Sequence, residues 1–83
     1  MESQITFRPI EILTDGADHE GRLVLADGVL VAVLVLLADP VYELPVRGSW
    51  YLEIGFGAAL DMRHDVFVTL DDAADVIAAE LSK

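Results

Sequence analysis

Two short stretches of this chain carry the side chains that divalent metals take as ligands. DGADHE (15–20) offers Asp15, Asp18, His19 and Glu20, and DMRHD (61–65) offers Asp61, His64 and Asp65. Carboxylates and imidazoles suit several divalent ions, and the two stretches hold both histidines of the protein. Neither spacing follows a known ligand pattern. Among fifteen acidic residues, a histidine beside one is expected by chance. Both stretches are therefore read as solvated loops with no metal ligand assigned, and divalent-metal or small-ligand binding stands as a second reading. The available nucleophiles are Ser3, Ser49, Ser82, Thr6, Thr14 and Thr69, none in a strand-to-helix elbow or beside a histidine. Paired carboxylates can do acid–base work, but a chain of 83 residues leaves little room for a pocket that would tune them. In EIGFGAAL, Gly55 and Gly57 make only G-x-G, short of a dinucleotide fingerprint, and predict a strand end against which something packs closely. No catalytic residue and no cofactor is expected, and the chain reads as a non-enzyme.

Composition narrows the classes further. Fifteen Asp and Glu stand against five Lys and Arg, a net charge of −10, with the arginines scattered singly. Such a surface repels phosphate backbones and anionic lipid, so neither nucleic acid nor a membrane is an expected partner. There is no cysteine, which removes disulfides and thiolate metal sites and suits a reducing compartment. The beginning, MESQITFRPIEIL, has no basic region followed by an apolar stretch, so cytoplasmic residence is the default expectation. Hydrophobic residues make up 54%, high for one small domain (1–83), and burying them calls for a second chain.

The elements that would position these residues follow from pattern. The uninterrupted apolar run Val29–Ala38 is half the length of a membrane-spanning helix and is bracketed by Asp27 and Asp39. Valines at 29, 31, 33 and 35 mark it as a strand, and Asp27-Gly28 before it is a hairpin signal. That turn predicts Ala26 opposite Val29, Val24 opposite Val31 and Arg22 opposite Val33. One face of strand 29–37 would carry Val29, Val31, Val33, Val35 and Leu37, the other Leu30, Ala32, Leu34 and Leu36. Both are apolar, as in strands covered on two sides.

Residues 4–13 read as an edge strand kinked or bulged at Pro9, 14–21 as a polar loop, and 39–49 as an irregular excursion. WYLEIGFG (50–57) alternates, placing Trp50, Leu52, Ile54 and Phe56 in the core; Tyr51 and Tyr42 are the aromatic interface candidates. Residues 58–65 read as a loop and 66–70 as a short extended piece. The last stretch predicts a helix capped by Thr69, with Asp71, Asp72 and Asp75 near its positive end. Its apolar stripe is Leu70, Ala73, Ala74, Ile77, Ala78 and Leu81.

An extended segment running into Thr69-Leu70-Asp71-Asp72-Ala73 resembles the helix start of small bacterial modules, including the HicB-type antitoxins. The likeness covers about the last third of the chain. GFGAALDMRHD stands where those antitoxins carry a proline- and glycine-containing loop, and a capped amphipathic helix produces the same letters. The resemblance implies an antitoxin-like regulator as an alternative.

The expected architecture is α+β: an antiparallel sheet of about four strands, hairpinned at Asp27-Gly28, with one C-terminal amphipathic helix packed on one face. One helix covers one face. The other requires strong curling into a barrel-like sheet or a partner, and a homodimer or another protein is the expected partner. The functional expectation is a small protein-interaction or regulatory module.

Overall fold

The computed structural model describes residues 4–14, 17–38 and 48–83. Five strands cross one antiparallel sheet in chain order: β1 (Ile5–Thr14), β2 (Ala17–Ala26), β3 (Val29–Leu36), β4 (Trp50–Gly55) and β5 (Val66–Phe67). A 3-10 helix, Gly57–Met62, occupies part of the expected loop 58–65, and helix α1 spans Leu70–Leu81. This is the expected α+β arrangement, with five strands rather than about four. Among the described residues β1 pairs only with β2 and β5 only with β4, so the sheet stays open rather than closing into a barrel.

The central hairpin turns where its dipeptide predicts. Asp27 and Gly28 have φ of 51° and 85°, the two positive values a type I′ turn requires. The Asp27 carboxylate also accepts the Gln4 amide at 2.9 Å. Ala26 faces Val29 as expected, but the register then shifts. Val24 faces Ala32, not Val31, and Arg22 faces Leu34, not Val33, because Val31 is an extra residue in β3. A second bulge follows in β4, where Leu34 faces Leu52 and Val33 faces Ile54, leaving Glu53 extra.

Each bulge reverses the alternation beyond it. Val29 shares the inner, helix-side face with Ala26, whereas Val33 and Val35 lie on the outer face; the expected all-odd face of β3 does not exist. On β4 Trp50 and Leu52 are buried, but Ile54, and Phe56 just past the strand, are 42% and 43% exposed. Gly55 turns inward in their place, and a Cβ there would overlap the backbone of Ala59 in the 3-10 helix. The close packing expected at this glycine is present.

β1 and the stretch after it also correct the expectation. Pro9 lies on an edge strand, yet no bulge accompanies it: pairing runs unbroken from Ile5–Ala26 to Thr14–Ala17. The apparent slip in spacing is a change of face, with Ile5 and Phe7 inward and Ile10 and Ile12 outward. Residues 17–21, expected in a loop, are strand. Pairing of β2 with β3 stops at Gly21–Val35, so the far end of the β1–β2 hairpin projects beyond β3 as a two-stranded arm. Four residues of strand extend about 13 Å, and the described residues reach 40 Å along their longest axis.

The inner face meets α1. The Asp72 amide donates to Thr69 Oγ1 at 3.0 Å, which is the expected cap, and Asp71 and Asp72 occupy the first turn. Ala73 and Ile77 bring the helix onto Val24, Ala32, Leu34, Trp50, Leu52 and Phe67. Burying a residue such as Leu34 or Ile77 contributes about 1.5–3 kcal/mol. The Arg22 guanidinium lies over the Trp50 ring, 5.0 Å from its centroid.

Candidate functional site

The two stretches rich in metal-type ligands do not assemble alike. His19 and Glu20 are consecutive on β2, so they leave opposite faces of the sheet. Glu20 lies 3.9 Å from Arg22 on the inner side. Asp15 and the side chain of Asp18 are outside the described residues.

His64 sits in a tighter setting. Its N–H donates to the Leu52 carbonyl and the Leu52 N–H donates to the Asp65 carbonyl, both at 2.9 Å. Two residues thus oppose one, in a bulge whose first position, usually glycine, is held here by His64 at φ 81°. The imidazole Nδ1 shares a hydrogen bond with the Tyr51 hydroxyl, the two rings lying 5.7 Å apart. Asp61 stands exposed in the 3-10 helix. Among the described residues, no three of His, Asp or Glu converge enough to hold a metal ion.

Two of the hydroxyls are engaged at the ends of α1. Thr69 caps α1, Ser82 Oγ donates to the Ala78 carbonyl at 2.9 Å, and Ser49 is buried where its carbonyl accepts the Leu37 amide. Ser3, Tyr42 and the excursion 39–47 are outside the described residues.

What the register does bring together is the outer face. One row across the sheet reads Arg8, Leu23, Val33, Ile54. The next reads Ile10, Gly21, Val35, Tyr51, Val66, and beyond it Ile12 faces His19 on the arm. Ile12 leans into the space that Gly21 leaves open, where a Cβ would meet it. Val35 is buried within this strip, whereas Ile10 and Val66 are 40% and 45% exposed. Among the described residues no helix lies on this side, α1 being on the other.

Because Leu52 and Gly55 both face inward, the two residues between them, Glu53 and Ile54, both fall on the outer side. An open hollow of about 470 Å³ adjoins them, lined by Glu53, Ile54, Gly55, Phe56, Leu60 and Arg63. The two-sided apolar character of β3 signalled a second face. The bulges hide its membership from the alternation, which by itself assigns Ile54 to the core.

Comparison with protein-family models, curated proteins and solved structures returned no significant match to this chain. No helix among the described residues is long and apolar enough to cross a membrane.

Proposed function

We propose that this chain is a non-enzymatic protein-interaction module of the cytoplasm, homodimeric, whose working surface is the outer face of the sheet. One observation carries the reading. Ile10, Ile54 and Val66 are exposed, and Leu23 and Val33 half-buried, around a buried Val35, forming an apolar strip on the side away from α1, in a chain whose net charge is −10. An extended apolar patch on a small protein marks a surface that is covered in use. Tyr51, between Val35 and Val66 in the second row, supplies the aromatic anchor that interfaces favour.

Light scattering and native mass spectrometry across a concentration series test this. A dimer of the wild type is expected, with Val33→Asp converting it to a folded monomer of unchanged far-ultraviolet circular dichroism. A wild type that stays monomeric at every concentration overturns self-association. If it also gains no stability from any protein it is co-purified with, the interaction reading fails as well.

A further inference from the structure

The outer face is not only apolar; it carries its charges at opposite ends of one row. Arg8 stands on β1 at one end of Arg8–Leu23–Val33–Ile54, and the bulge places Glu53 beside Ile54 at the other. Among the described residues, no acidic residue other than this bulge residue falls on the face. Arg63, off the register after the 3-10 helix, lines the same hollow as Glu53; within the sheet itself, a row that is basic at one end, apolar in the middle and flanked by a carboxylate at the other matches its own reverse. Turned about a two-fold axis passing between β2 and β3, Leu23 of one copy meets Val33 of the other, and each Arg8 meets the opposite Glu53.

The edges of the sheet point the same way. The Gln4 carbonyl accepts the Asp27 amide, so residues 4, 6, 8 and 10 turn their backbone groups toward β2, while 5, 7, 9 and 11 turn theirs outward. The outward ladder therefore has Pro9, which has no N–H, at its middle. The opposite edge, β5, is two residues long. Both edges are poor templates for adding a strand.

Resting on the reading of the outer face as the interaction surface, we propose that two copies pack outer face on outer face as a two-fold β-sandwich, locked in register by reciprocal Arg8–Glu53 ion pairs. Isologous contact of this kind repeats each pairing twice. Aligned sheets pack about 10 Å apart, within reach of interdigitating Leu, Val and Ile side chains. A basic partner would instead be drawn to the acidic surfaces, such as Glu11 opposite Glu20 on the inner side of the arm, or Asp71 and Asp72 on α1.

The test is a charge swap read by the dimer dissociation constant, from sedimentation of the full chain at fixed ionic strength. Arg8→Glu and Glu53→Arg are each expected to weaken the dimer about tenfold or more. The double variant R8E/E53R should recover most of the wild-type affinity. Mixing the two single variants should give a heterodimer tighter than either alone. Amide exchange adds an independent readout, since the outward amides of Phe7 and Glu11 should exchange no more slowly in dimer than in monomer. A dimer that forms but shows no recovery in the double variant, or that protects those edge amides, overturns this packing while leaving the outer-face reading open to another geometry. A chain that never self-associates overturns both.

Discussion

The two faces of this sheet are built from the same residue types and come to opposite ends. Leu52 and Ile54 are two positions apart on β4, yet Leu52 is fully buried under α1 and Ile54 is 42% exposed on the other side. In an uninterrupted strand they would share a face. The bulge at Glu53 separates them, and the bulge at Val31 does the same to Val29 and Val33. Hydrophobic content therefore does not decide which side becomes the core. Register does, and α1 settles on the side where Ala73 lies in the core, while the inward Gly55 lets the 3-10 helix backbone come close beside it.

The sharpest way to break that contrast is to truncate both residues. Leu52→Ala is expected to cost about 3 kcal/mol, within the range for a fully buried leucine, and to threaten folding of so small a domain. Ile54→Ala should cost less than about 1 kcal/mol when unfolding is measured at a concentration that holds the protein monomeric. If the proposed dimer forms, the gap should narrow at higher concentration, because Ile54→Ala then removes a contact with the second copy as well. Urea titrations at two protein concentrations check both parts. Equal losses in the monomer would mean that the outer strip is as well packed as the core.

Gly55→Ala probes the inner face from its backbone. The added methyl has nowhere to go except into the Ala59 carbonyl, and displacing the 3-10 helix should cost about 1–3 kcal/mol. Gly21→Ala is its counterpart on the outer side, where the nearest obstacle is the flexible end of Ile12 and the backbone, at the Leu34 carbonyl oxygen, stands off at 3.0 Å. There the loss should be clearly smaller in the same titration.

The helix end comes next in size. Thr69→Ala removes the acceptor of the Asp72 amide and should cost about 1 kcal/mol, with Thr69→Ser recovering most of it. This element was the most readable from sequence, because cap, acidic first turn and apolar stripe are local signals that agree. The Asp27-Gly28 turn was readable for the same reason. The bulges were not: when both faces of β3 are apolar, shifting the register by one residue exchanges valine for leucine, and the pattern no longer records which faces inward. The arm is illegible for a different reason. His19 and Glu20 look like loop residues because most strands cover a core, whereas this pair of strands has passed beyond it. In the candidate site, sequence supplied the apolar strand and Tyr51, but the pairing of Arg8 with the Glu53 end of one row needed the register.

The smallest effect tests the margin of the outer face. His64 holds a left-handed conformation that favours glycine, and its ring is tied to Tyr51. If the conformation is only a requirement of the chain reversal before β5, His64→Gly should relieve strain, since a non-glycine residue there costs about 1–2 kcal/mol. Two terms oppose that gain. Glycine loses more backbone freedom on folding, by about 0.5–1 kcal/mol, and the Tyr51 hydrogen bond disappears. Comparing His64→Gly in the wild type and in a Tyr51→Phe background separates them. In the Tyr51→Phe background the substitution should be neutral or slightly stabilising, and in the wild type less favourable by the worth of one exposed hydrogen bond, about 0.5 kcal/mol. A large loss in both backgrounds would mean that the imidazole is held by contacts other than Tyr51, and the bulge would then serve to aim a side chain rather than merely to turn the chain.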